Sequence, residues 1–137
     1  MNECSIYNTN KTQFGENMER INFWKHNDKM IIFFDFSGCN EQEFIETLEH
    51  SRSVVRKLKK DVLLTLVDVT NTESNDRTNK AIKEFAAENK PYVKAGAVVG
   101  VFGIKKIVYQ LVMKFTGRNN LKLFNTVKEA KDWLATQ

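Results

Sequence analysis

Residues 95–104 read AGAVVGVFGI, and this run of apolar residues and glycine is the longest in the chain. It is about half the length of a membrane-spanning helix. Its valines favour a strand that is buried on both faces, and Gly96 and Gly100 indicate that neighbouring elements approach it closely. We therefore expect Val98, Val99 and Val101 to lie in a buried strand of a parallel sheet.

A helix is predicted directly after this strand. Beyond Gly103, apolar residues recur at the spacing of an amphipathic helix, and Gly117 is placed to end it. The residues of this stripe are Ile104, Ile107, Val108, Leu111, Val112 and Phe115. We expect the stripe to face the core.

The rest of the chain repeats the alternation of strand and helix. Two β-rich runs flank the turn at 26–29 and predict a hairpin. Asn40 and Glu43 form a capping-box pattern that opens a helix, and Thr126 and Glu129 form another. The remaining predictions are strands at 62–69 and 121–124 and a helix that ends near 90–91. This order predicts an α/β fold with a mixed, mainly parallel sheet of four to five strands flanked by about four helices.

Length and composition narrow the class of protein. The chain has 137 residues and an amino-acid composition that is typical of globular proteins. Its net charge of +4 is far smaller than that of a dedicated nucleic-acid-binding protein. We expect a polar arm at 1–19, with a short paired piece near Phe14, and a single domain at 20–137. We expect a cytoplasmic protein, because the sequence has only two cysteines and shows no signal peptide or transmembrane segment. The low net charge indicates that it binds no specific nucleic acid.

Catalytic patterns are sparse in this sequence. His26 and His50 have no partners at metal-ligand spacing, so no metal site is predicted. The glycines of 96–103 do not match the dinucleotide-binding fingerprint, and no phosphate-binding loop is present. Cys39 stands before a helix, where a thiol pKa can fall, but no base is placed to assist it. We therefore expect a non-enzymatic protein without cofactors.

The first candidate binding site is polar. Segment 70–80 contains no hydrophobic residue and leaves the carboxyl end of a predicted parallel strand, the edge where open α/β sheets bind ligands and partners. The alternative is a solvated loop and the first turn of a helix. The residues predicted to bind a partner are Asp68, Thr70, Asn71, Ser74, Asp76, Arg77 and Thr78.

The second candidate binding site is basic. No acidic residue lies between Glu88 and Glu129, a stretch that contains eight lysines and arginines. Two of them occupy the first turn of the helix after Gly103, where free N–H groups suit an anion. We predict an anion-binding patch made of Gly103, Lys105, Lys106 and Arg118, with an ordinary solvated basic face as the alternative.

The C-terminal half also carries a family resemblance. It is similar to the small SpoIIAA-like branch of the STAS superfamily, and the similarity extends over roughly residues 20–135. The stretches that carry it are YVKAGAVVGVFGIKKI (92–107), FTGR (115–118), LFNT (123–126) and EAKDWL (129–134). The resemblance implies a bacterial protein with a four- or five-stranded sheet flanked by helices, a fold close to that of CRAL-TRIO lipid-binding domains.

One motif of that superfamily is altered in this chain. Anti-sigma-factor antagonists carry a D-S-S-G turn whose serine is phosphorylated, and its counterpart here is Asp76-Arg77-Thr78-Asn79. Arg77 replaces the phosphorylated serine, and only Thr78 retains a hydroxyl. The departure argues against a phosphorylation switch and leaves a binding surface.

Three functions remain open from the sequence. The leading hypothesis is an interaction module that binds a protein partner through segment 70–80 and the adjacent helix, with a homodimer as a further possibility. The alternative is a carrier of a lipid or another small apolar or anionic ligand, which would require a cavity of several hundred Å³. An enzyme using Asp35 or Asp68 is the third reading.

Overall fold

A computed structural model describes residues 20–137. Its elements are β1 (Ile21–His26), β2 (Lys29–Asp35), α1 (Glu41–Val55), β3 (Leu63–Asp68), α2 (Asp76–Asn89), β4 (Val93–Val99), α3 (Ile104–Thr116), β5 (Leu121–Phe124) and α4 (Val127–Leu134). The predicted arm at 1–19, with its paired piece near Phe14, lies outside the described residues.

Within this part of the chain, the strands form one five-stranded sheet in the order β1-β2-β3-β4-β5. β1 and β2 are antiparallel, and the other neighbouring strands are parallel. The predicted α/β fold with a mixed, mostly parallel sheet is confirmed.

Local sequence signals explain why these elements begin and end where they do. Asn27 and Asp28 both adopt positive φ, the conformation that a tight hairpin turn between β1 and β2 requires. At the start of α1, the Asn40 side chain accepts a hydrogen bond from the backbone N–H of Glu43 at 2.9 Å, and the Glu43 carboxylate accepts from the Asn40 N–H at 3.0 Å. This reciprocal cap fixes the first turn of the helix.

The sheet has two differently covered faces. On the first, α1 packs against α2 and α2 packs against α3, over a core that includes Phe34, Phe36 and Leu48. On the second, α4 is the one described helix that packs on the strands, and it covers a smaller core built on Ile31 and Leu66. Because the strands follow one another in chain order, right-handed crossovers place the first three helices in one row on one face.

α3 departs from the prediction. The stripe expected to face the core is largely exposed: the side chains of Ile104, Ile107, Leu111 and Phe115 are between 58% and 70% exposed. Within α3, Val112 alone is buried. The physical reason is position, since α3 is the last helix of the row and the strand below its outer side is the four-residue β5. We call Phe102, Ile104, Ile107, Leu111 and Phe115 the α3 face.

The buried strand is also shorter than predicted at its carboxyl end. β4 ends at Val99, so Val101 lies outside it. Between them Gly100 adopts a φ of +91°, which lets the chain turn out of the sheet.

Candidate functional site

The two predicted binding regions meet at one edge of the sheet. β3 and β4 end side by side, with Asp68 paired to Val99 in the register, and the Val69 N–H donates to the Val99 carbonyl at 2.9 Å. A Cβ at position 100 would overlap the Thr70 backbone, so only glycine allows this close approach. Segment 70–80 and the start of α3 therefore lie next to each other.

The first half of segment 70–80 is held by its own hydrogen bonds. The Asp68 carboxylate accepts from the backbone N–H of Thr70 at 2.9 Å and from its hydroxyl at 2.6 Å. The Thr72 hydroxyl, which is buried, donates to the Phe36 carbonyl at 2.7 Å. Asp68 and Thr70 thus shape the turn, and these contacts give them a structural role.

The second half of the segment caps α2. The Asn75 side chain accepts from the Thr78 N–H at 2.9 Å, and the Thr78 hydroxyl accepts from the Asn75 N–H at 2.9 Å. Thr78 is only 2% exposed. The exposed side chains among the predicted partner-binding residues are those of Asn71, Ser74, Asp76 and Arg77. Whether they bind a partner stays a prediction.

We expect no phosphate on Thr78. Its hydroxyl is buried and occupied in the cap of α2, so a kinase could reach it only after that turn had opened. Phosphopeptide mapping of the protein from its own host is the measurement. Stoichiometric phosphate on Thr78 would contradict this expectation, and such phosphate on either Thr78 or the exposed Ser74 would restore the phosphorylation switch.

The predicted anion patch is only partly assembled. Gly103 caps α3 without a side-chain hydrogen bond, and in the turn that follows Lys105 is half-buried and Lys106 exposed. Arg118 does not join them: it follows the other end of α3, roughly 20 Å away at the helical rise per residue. The grouping of Arg118 with these lysines is therefore corrected. The reason is that α3 separates them along its whole length.

Arg118 is instead a buried residue. Its side chain is 7% exposed, with Nη1 donating to the Ala86 carbonyl at 3.2 Å and Nε donating to Asn120 Oδ1 at 3.1 Å. Among residues 20–137, Nη2 has no hydrogen-bond partner. Burial lowers the pKa of Arg118 to about 10, so the guanidinium remains charged at neutral pH. No pattern in the sequence indicates this burial, because an arginine after a helix-ending glycine is typical of a surface.

A cavity of about 130 Å³ lies between the sheet and the helices α2 and α3. Its walls are mainly apolar and include Phe34, Val67, Phe85, Val98 and Val112. Two cations also line it, Lys105 near segment 70–80 and Arg118 beyond the opposite end of α3. The cavity thus links the two sites that the sequence predicted separately.

Other chemistry is limited in the described region. Cys39 is buried, and this burial raises the pKa of its thiol, so the thiol is not activated. Across residues 20–137, His, Cys, Asp and Glu do not gather in groups of three or more that could hold a metal ion. The helices of the same region are too short or too polar to cross a membrane.

Comparison with known proteins bears on the fold. No family model and no curated protein matches this chain. A crystal structure of an uncharacterized protein of the DUF3478 family from Shewanella loihica PV-4, described as having a SpoIIAA-like fold, matches with a TM-score of 0.64. The match covers 83% of this chain and 91% of that one.

The chain has a SpoIIAA-like fold. The two sequences are 17% identical, so the likeness concerns the fold alone. The family resemblance seen in the sequence is confirmed at this level. The SpoIIAA-like fold leaves partner and ligand open, and these must be argued from the surfaces and the cavity of this chain.

Proposed function

We propose that this protein is a non-enzymatic interaction module that docks through the α3 face onto an anionic lipid surface. The observation that carries the proposal is the exposure of the α3 face. Five large apolar side chains on one side of a helix and its entry turn form the kind of contiguous patch that marks an interaction site. An amphipathic helix with such a face can lie in the plane of a membrane interface.

The charges around the α3 face favour a negatively charged partner. Lys106, Gln110 and Lys114 follow one another at four-residue spacing and form a polar row beside the apolar stripe. On the side of α2, the Lys83 ammonium lies 4.5 Å from the centre of the Phe115 ring. α3 carries no acidic residue. Anionic headgroups would neutralise these lysines while the apolar side chains enter the interface.

The same charges disfavour a second copy of the chain as the occupant. In a symmetric dimer each copy would present the same patch to the other. Lys106 and Lys114 of one copy would then lie close to those of its partner, without acidic residues on α3 to pair with them. A lipid surface has no such conflict.

Cosedimentation with lipid vesicles tests the proposal. We expect the protein to bind vesicles that contain anionic phospholipid and to bind neutral vesicles at least tenfold more weakly. Binding should weaken as salt is raised, because exposed charges are screened. Equal binding to both kinds of vesicle, or to neither, would refute the proposal. Binding of an acidic protein without vesicle binding would make α3 a protein-docking surface instead.

Replacing Lys105 and Lys106 together by Gln tests whether these lysines act through their charge in vesicle binding or through the stability of the fold. Cations at a helix N-terminus oppose the helix dipole, so the melting temperature should stay equal or rise, by a few tenths of a kcal/mol in unfolding free energy. Vesicle binding should weaken and depend less on salt. Thermal denaturation and cosedimentation are the two measurements. The control is the double variant Lys57→Gln, Lys59→Gln, which removes the same number of positive charges outside α3.

Two results would contradict that expectation. A loss of stability would show that the stems of these lysines pack over the core. Unchanged vesicle binding, matching the control variant, would mean that the basic residues form only a solvated face.

Segment 70–80 supports a second candidate function, the binding of a protein partner. Its support is the exposure of Asn71, Ser74, Asp76 and Arg77 at the carboxyl edge of the sheet. Native mass spectrometry of the protein from its own host would detect a retained partner or a homodimer. Under this candidate, Arg77→Glu releases the retained protein and leaves vesicle binding unchanged. If this variant still retains the partner, segment 70–80 is not the site that binds it.

A further inference from the structure

The cavity under α3 contains a charged group that its surroundings only partly satisfy. Arg118 is more than nine-tenths buried and lines the cavity, and two of its nitrogens donate to Ala86 and Asn120. Its third nitrogen, Nη2, has no acceptor within residues 20–137. A buried cation with unused N–H donors is costly, so such groups are normally paired.

The remaining walls of the cavity are mainly apolar, and Lys105 and polar residues of segment 70–80 also line it. Side chains from the sheet, from α2 and from α3 present an apolar surface, with Val67, Phe85 and Val108 as one example from each. Mainly apolar walls with a small number of convergent polar groups are typical of sites that bind a small molecule in one orientation. A ligand that matches both parts must have an apolar tail and an anionic head.

We infer that the cavity binds a small amphipathic carboxylate, with its carboxylate on Nη2 of Arg118 and its apolar tail between the sheet and α3. A carboxylate oxygen accepts one of the two unused N–H donors of this nitrogen, and the carboxylate neutralises the buried charge. The tail replaces water or empty space against the valines of the cavity. The site is distinct from the α3 face, which lies on the outer side of the same helix.

The volume sets the size of the ligand. A carrier of a whole lipid needs several hundred Å³, and the cavity measures about 130 Å³. In another protein, an engineered apolar cavity of about 150 Å³ takes up benzene, which has six carbons. We therefore choose hexanoate as the probe, 1-hexanol as its neutral counterpart and acetate as the anion without a tail.

Calorimetric titration of the protein in solution, without vesicles, is the experiment. Hexanoate should bind at least tenfold more tightly than 1-hexanol and at least tenfold more tightly than acetate. If 1-hexanol binds as well as hexanoate, Arg118 does not recognise the head. If hexanoate does not bind, or acetate binds equally well, the inference is overturned. Because no membrane is involved, these results are independent of the vesicle experiments.

Variants locate the binding site. Arg118→Met should bind hexanoate and 1-hexanol equally weakly, whereas the control Lys94→Met, which removes an exposed charge of the same sign, should bind as the wild type does. Val108→Phe should fill the cavity and weaken both ligands at least tenfold. If Arg118→Met fails to fold, the Val108→Phe result and the three wild-type titrations together decide whether the cavity binds the carboxylate. Undiminished hexanoate binding in Val108→Phe would place the ligand elsewhere and refute the inference.

Discussion

Replacing Val99 with Asp is expected to unfold the protein. Val99 is a buried residue of β4 and lies between β3 and β5, so its side chain belongs to the core on the second face of the sheet. Its neighbour in β3 is Asp68, which would place a second carboxylate beside an existing one. The cost of an unpaired buried charge exceeds about 4 kcal/mol, a large part of the stability of a typical domain.

Circular dichroism and thermal denaturation of Val99→Asp are the measurements. The control is Lys94→Asp, which places the same residue type at an exposed position of the same strand and should unfold close to the wild-type temperature. A Val99→Asp protein with a wild-type melting temperature would show that this side of β4 is not buried, and the sheet described above would then be wrong.

The second large effect concerns binding and leaves the fold intact. Replacing Ile107 and Leu111 together by Ser should reduce binding to anionic vesicles by more than about 100-fold. Each apolar side chain of this size contributes about 1.5–3 kcal/mol when it leaves water, and about 1.4 kcal/mol corresponds to a tenfold change in affinity. Because both side chains are exposed in the free protein, its stability should change by less than about 1 kcal/mol.

A matched control uses exposed apolar residues outside α3. Met30→Ser combined with Val62→Ser removes two such side chains, one from β2 and one from the segment before β3, and should leave vesicle binding unchanged. If the two double variants bind equally well, the α3 face does not dock. If the α3 variant unfolds, Ile107 and Leu111 contribute to the core, and the exposed surface described above is wrong.

The sequence was most successful in predicting turns, helix caps and helix ends, which depend on residues close together in the chain. The turn at Asn27 and Asp28, the cap formed by Asn40 and Glu43, and the end of α3 at Gly117 are local signals, and all three are confirmed. The alternation of such elements was sufficient to predict a mixed, mostly parallel sheet, because crossover connections allow few other arrangements.

Features that depend on distant parts of the chain were not predicted. Periodicity shows which residues of α3 share a face, but the neighbours that would cover Ile107 and Leu111 depend on the order of the strands. Arg118 is buried against α2, where its partner Ala86 lies 32 residues earlier in the chain. For the same reason the cavity has no signature in the sequence.

The order of the sheet has a consequence for the synthesis of the protein. Each strand pairs with the strand made just before it, so the sheet can grow in the direction in which the ribosome releases the chain. Within residues 20–137, however, the second face is covered only by α4, whose residues are made after all five strands. Until α4 has been made, none of the described elements covers Ile31, Leu64 and Leu66 on this face. We expect this interval to be the time during biosynthesis when the protein depends most on chaperones.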